Sequence, residues 1–255
     1  MITDLRLQHF RSYADASFEL EPGVNIIVGP NASGKTNLLE AVLLIARGSS
    51  YRARDAELLQ FDASWARLDA DTVNGVRIVK LQFTTPEKLV KSFEIDGQAL
   101  TRMPQTRTLP AVLFEPNHLL LLSGSPELRR TFLDDLIEQI VPGFGATRRH
   151  YKRVVAQRNA LLKKQPRDLQ QQLFVWNLRL SELGGSIVRE RAMLVDRFQE
   201  RISELYGSLA AQSHAVQLHY RTQFALDHYE TALLHKLESS LELDVLRGFT
   251  AAGPH

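Results

Sequence analysis

The octapeptide Gly29-Pro30-Asn31-Ala32-Ser33-Gly34-Lys35-Thr36 constrains this chain more than any other stretch. It fits G-x-x-x-x-G-K-[ST], a pattern whose backbone curls N–H groups inward around the phosphates of a nucleotide. Its context suits that reading. Val24-Asn25-Ile26-Ile27-Val28 before it is mostly apolar and β-branched, the composition of a buried parallel strand. After it, Leu38, Leu39, Val42, Leu43 and Ile45 recur at helical spacing. Gly29 and Gly34 are expected to supply backbone conformations that a side chain forbids. The N-terminus of the following helix adds about half a positive charge. Lys35 is expected to reach the β- and γ-phosphates, and the Thr36 hydroxyl to ligate Mg²⁺.

A chain of 255 residues can form one large or two small domains. Net charge is only +2, so electrostatic binding must come from local patches. The absence of cysteine excludes a disulfide framework and thiolate metal sites. Met1-Ile2-Thr3-Asp4 leads directly into strand-like sequence without a signal peptide, and no apolar run approaches the ~20 residues of a membrane span. These features place the expected location in the cytoplasm, away from membranes. His150, His228 and His255 lack ligand-like spacing, and no metal is assigned to histidine.

Strands are expected at Ile2 to His9 and Ala16 to Leu20, joined by the turn Phe10-Arg11-Ser12-Tyr13. Ala66 to Phe83 reads as a hairpin turning at Asn74-Gly75, and a second turns at Asp96-Gly97. Ala111-Val112-Leu113-Phe114 reads as a buried strand, stopped by Glu115-Pro116. Tyr51, Arg52 and Arg54 follow the first helix, close enough to touch a base or phosphate; a solvated connector is the alternative. Val216, Leu218 and Tyr220 alternate as a strand, and Asp227 with Glu230 forms a capping box for a helix through Leu246.

The intervening region is helical. Ser125-Pro126 opens a helix as cap and first residue, and Arg129 and Arg130 in its first turn await ion pairs with Asp134 or an anionic partner. Ala146 to Lys164 is a helix whose apolar positions fill one sector of roughly 120° at about 100° per residue. Arg148, Arg149, Lys152, Arg153, Lys163 and Lys164 project to the other side, and Arg158 does not. No acid occurs between Ala146 and Arg167. A one-signed stripe is an electrostatic footprint for nucleic-acid phosphates, with pairing to acids elsewhere as the plainer alternative. Leu169 to Tyr206 is the longest helix, with Gly184-Gly185 marking a bend or close contact and Trp176 read as core.

Several of these pieces, in this order, resemble the RecF family of ABC/SMC-like ATPases. They are Leu5-Arg6-Leu7 with Phe10 to Tyr13, Gly29 to Ala41, Phe114-Glu115-Pro116, Gly124-Ser125-Pro126 with Arg129 to Asp134, Gln157-Arg158-Asn159 and Gly253-Pro254-His255. The resemblance implies an α/β fold: a P-loop ATPase head (residues 1–125 plus 207–255) with an inserted α-helical lobe (126–206). It implies an ATP site at Gly29 to Thr36, binding of single-stranded or gapped DNA, an ATP-dependent homodimer, and work with recombination mediator proteins in loading a recombinase. Members of that family continue past Gly-Pro-His into a Ser-x-Gly-Gln signature and a Walker B strand. Neither is found here, so a C-terminal truncation with weakened ATP binding and little hydrolysis is expected. A GTPase would show Asn-Lys-x-Asp, which is also missing.

Overall fold

The computed structural model describes residues 1–210 and 216–255, in two compact units, Met1–Phe114 and Glu115–His255. The first unit is built on a six-stranded antiparallel sheet: β1 (Ile2–Phe10), β2 (Tyr13–Glu19), β3 (Trp65–Thr72), β4 (Gly75–Thr85), β5 (Lys88–Ile95) and β6 (Gln98–Leu100), in spatial order β2-β1-β3-β4-β5-β6. Period-two alternation turns one face inward. The register aligns Leu7, Leu68, Val79 and Phe93 in one row across four strands, with Leu5, Ala70, Arg77 and Ile95 in the next. Leu38, Ala41, Leu44 and Ile45 of α1 (Lys35–Arg47) belong to the same core. Gly48 ends α1 in the left-handed conformation, its N–H bonded to Leu44 O.

The first hairpin turns one residue earlier than Asn74-Gly75 suggests. Thr72 pairs with Gly75, so Val73 and Asn74 make the turn. The cause is Thr72 Oγ1, which donates to Gly75 O and accepts from Asn74 N. Gly75 has φ +124°, and a Cβ there would stand 1.8 Å from Asp96 Oδ1. The Asp96-Gly97 turn forms as expected, with both residues at positive φ.

Two expected strands are corrected. Val24 to Val28 and Ala111 to Phe114 pair with no strand among the described residues. Val24 is 88% exposed, Val28 83% and Phe114 75%. Their composition suits burial on both faces of a parallel sheet. A strand persists only where neighbours take its N–H and C=O groups, and every strand of this sheet already has its antiparallel partner.

The second unit is helical: α2 (Leu120–Ser123), α3 (Pro126–Ile140), α4 (Phe144–Lys164), α5 (Leu169–Ala210), α6 (Tyr229–Ser239) and α7 (Leu241–Arg247). Its core joins Ile137, Phe144, Val154, Leu180, Leu183, Ile187, Leu233 and Leu237, with Trp176 packed against it. Gly184 and Gly185 mark a close contact: a Cβ on Gly184 would lie 3.1 Å from Leu233, and one on Gly185 2.4 Å from Glu230. The capping box at Asp227 does not form, because Arg189 takes the Glu230 carboxylate at 2.7 Å and α6 begins only at Tyr229. The expected single helix through Leu246 breaks at Ser240. Val216 to Tyr220 forms no strand. The Gln199 amide occupies the place of a ladder partner, donating to Val216 O and accepting from Leu218 N.

Candidate nucleotide site and basic helix

The phosphate loop lies between Val28 and α1, fully within the first unit. Its bend is made by Ser33 N bonding Pro30 O, with Ala32 at φ +65° and Gly34 at φ +96°. The second left-handed residue is therefore Ala32 and not Gly29. At Gly29 the constraint is closeness, since a Cβ would meet Ser33 Oγ at 2.8 Å. Lys35 folds back over the loop, its ammonium donating to Gly29 O at 2.8 Å and Pro30 O at 2.6 Å. No side chain caps α1, and no acid stands in its first turn. The N-terminal N–H groups and the positive end of the helix dipole are thus left for an anion. Thr36 is exposed on that first turn, and Asn31 and Ser33 of the loop are exposed too.

A cluster beside the loop was not singled out by sequence reasoning. Glu40 is fully buried on α1 and carries two arginines: Arg11 bonds both its oxygens at 3.0 and 3.1 Å, and Arg52 bonds one at 3.0 Å. Ser50 adds a bond of 2.5 Å. Burial pushes the Glu40 carboxyl up, but the hydrogen bonds from Arg11, Arg52 and Ser50 outweigh it and hold the group below the usual range. The available signal was a charge one turn before Leu44, on the face α1 buries. Arg52 also donates to Asn37 Oδ1, so Arg52 joins the loop's helix through side chains, while Tyr51 stacks under its guanidinium at 5.7 Å.

The basic stripe divides. Arg148 is claimed by α3, within 3.6 Å of Asp134, 3.0 Å of Asp135 and 3.6 Å of Glu138. Arg149 stays exposed, 3.4 Å from Glu138. Lys152, Arg153, Lys163 and Lys164 are exposed and make no ion pair among the described residues. Exposed Arg149 to Lys164 run about 22 Å along α4 at 1.5 Å per residue. Arg129 donates to the carbonyls of Leu121 and Gly124 instead of pairing with Asp134, which Arg191 holds from both nitrogens at 2.7 and 2.9 Å.

Residues 4–244 match the AAA domain family. The chain is 32% identical to the DNA replication and repair protein RecF of Acidothermus cellulolyticus, over all of this chain and 72% of that protein. It is 32% identical to the protein of the same description from Heliobacterium modesticaldum, over all of this chain and 70% of that one. The chain belongs to the RecF family. Among solved structures, the recombination mediator protein RecF-ATPrS in the RecFOR pathway superposes with a TM-score of 0.82 at 24% identity, covering all of this chain and 71% of that one. That likeness shares the fold: a P-loop ATPase domain of mixed α/β type with an antiparallel sheet and a helical part.

Three of the RecF-like motifs of the second unit converge. Arg158 is fully buried and donates to Asn177 Oδ1, Asp244 Oδ2, Thr250 Oγ1 and Leu237 O at 2.8 to 3.2 Å. Asn159 Oδ1 accepts from both the N–H and the hydroxyl of Thr250. Arg191 joins Asp134 to Pro254 O, and His255 bridges Tyr151 OH and Thr250 O. Burial holds the His255 imidazole below its ordinary pKa, and burial drives the Tyr229 phenol up to about 12. Arg158, Asp134 and Pro254 of these motifs therefore build the interior of this unit, while Ser125, Pro126 and Arg129 stay exposed.

Proposed function

We propose that this RecF-family chain is an ATP-dependent DNA-binding protein of DNA replication, recombinational repair and the SOS response in the cytoplasm. It acts at single-stranded gaps to promote recombinase loading, with recombination mediator proteins and as an ATP-dependent homodimer. The observation that carries this reading is the curled loop at an uncapped, acid-free helix N-terminus with Lys35 folded over it. Those groups fit a polyphosphate: backbone N–H groups, a helix dipole and one cation. Thr36 would hold Mg²⁺, which when bound neutralises charge on the β- and γ-oxygens. The exposed cations of α4 support the DNA half of the reading, and so does the description of the relatives as DNA replication and repair proteins. None of the described helices is long and apolar enough to cross a membrane.

A second reading, a nucleotide-binding interaction module without turnover, is favoured by the fate of two acids. Glu40 is committed to Arg11, Arg52 and Ser50, and Glu115 caps the turn that follows it. Neither is poised to orient a water. Titrating ATP with Mg²⁺ into the wild type and Lys35→Ala tests the shared premise: micromolar-range binding lost in the variant is expected, and equal affinity overturns it. ATPase assays with and without gapped DNA then separate the two readings.

A further inference from the structure

The turn between β1 and β2 meets the phosphate loop at Gly34. Tyr13 OH donates to Gly34 O at 3.1 Å, and the same oxygen accepts Leu38 N at 3.0 Å, the first hydrogen bond inside α1. A trans peptide is planar, so its C=O and the following N–H point in opposite directions, and no peptide bond of the described chain is cis. Holding Gly34 O down the helix therefore turns the Lys35 N–H outward, into the concave side of the loop.

The surroundings make this contact a built one. A Cβ on Gly34 would stand 2.7 Å from Ser12 Oγ and 3.0 Å from Tyr13 OH, so the turn lies directly against the loop's second glycine. Ser12 Oγ accepts from Asn37 Nδ2 at 3.0 Å, one turn along α1. The Tyr13 ring is set edge-on against Phe18 on the paired length of β2, centroids 5.5 Å apart. Arg11, at φ +53°, anchors the turn from its other side through Glu40. The phenol is pushed upward by burial, so it stays a donor throughout the working pH range.

We propose that Tyr13 is a positioning residue of the phosphate loop, fixing the Gly34 carbonyl so that the Lys35 N–H is aimed at a bound phosphate. The inference rests on the nucleotide reading of Gly29 to Thr36. Without the phenol the peptide plane gains freedom, and the nest must be reordered each time an anion binds.

The test is Tyr13→Phe in the full chain, which keeps the ring and its packing. One neutral hydrogen bond corresponds to roughly a three- to tenfold loss of affinity. That loss is expected equally for ATP with Mg²⁺ and for inorganic tripolyphosphate, because the effect lies in the phosphate grip. The ligand-free melting temperature should change little, and the Lys35 amide resonance should move and exchange faster. Unchanged affinity for both ligands with an unmoved Lys35 resonance overturns the proposal. Equal losses in affinity and in melting temperature, with an unmoved resonance, also overturn it and reduce Tyr13 to a packing residue. Lys35→Ala reports on the underlying reading: if it retains wild-type ATP affinity, that reading fails, and the Lys35 resonance alone decides whether Tyr13 sets the peptide.

Discussion

Replacing Lys152, Arg153, Lys163 and Lys164 together by Gln should remove most of the salt-dependent DNA affinity of this chain. These four are exposed and unclaimed by acids among the described residues, whereas Arg148 is held by Asp134, Asp135 and Glu138. Each phosphate contact contributes about 0.9 to the slope of log K against log salt. Four contacts therefore account for up to about 3.6 of slope, and between 1 M and 0.1 M salt for up to about 3.6 orders of magnitude in affinity. Fluorescence anisotropy of a labelled gapped duplex, read from 50 to 300 mM salt, measures both quantities. Arg148→Gln serves as the contrast: almost no change in slope is expected, with a loss of stability instead. A quadruple variant with wild-type slope, or an Arg148→Gln variant that loses slope as steeply, would refute the argument that ion pairing decides which cations face DNA.

Arg158→Met strands the buried Asp244 charge, so a destabilisation of about 3–5 kcal/mol is expected in urea titration, with most of it recovered by adding Asp244→Leu. Arg77 occupies the core row of β4, only 8% exposed and with one guanidinium nitrogen lacking a hydrogen bond; burial lowers its pKa. Arg77→Met should leave the melting temperature unchanged or raise it, and a clear drop would show that the charge has an unseen partner. Gly34→Ala forces a side chain into φ +96° against Ser12 and Tyr13, so ATP affinity should fall by at least tenfold in calorimetry while the sheet persists by circular dichroism. The pKa of His255 is depressed in the folded state, so the unfolded chain binds the extra proton first and stability is lost as pH falls below about 6.5. Glu40, also depressed, contributes stability above its unfolded value that is lost further down, below about 4.5. A melting temperature flat from pH 7 to 5 would contradict the first, and one flat from pH 5 to 2.5 the second.

The phosphate loop, the hairpins and the long helices were legible because each is a local pattern: a motif, a period, a turn dipeptide. Val24 to Val28 and Ala111 to Phe114 were not, since β-branched composition states what a strand would pack against and not whether a neighbour is present. Glu40 stands in the RecF-like run, but its pairing escaped notice because Arg11 and Arg52 lie 29 and 12 residues away, and pairing at that range leaves no periodic trace. The helical period of α4 states which cations share a side of the helix, yet which of them α3 neutralises depends on how two helices meet. Arg158 was visible as the exception to the stripe, and the structure supplies the reason, in Asp244, Asn177 and Thr250.

Arg158 also bears on the order in which the second unit assembles. Its partners come from 19, 79, 86 and 92 residues further along the chain. Each of those loops must close, at an entropic cost, before the guanidinium gains anything from closing it. The α4–α5 hairpin, held by neighbouring contacts, is free to zip early, while α7 and Thr250 to His255 can settle only onto a surface already formed. Arg158 is thus a late lock, expected to have a φ-value near zero, whose loss speeds unfolding far more than it slows folding.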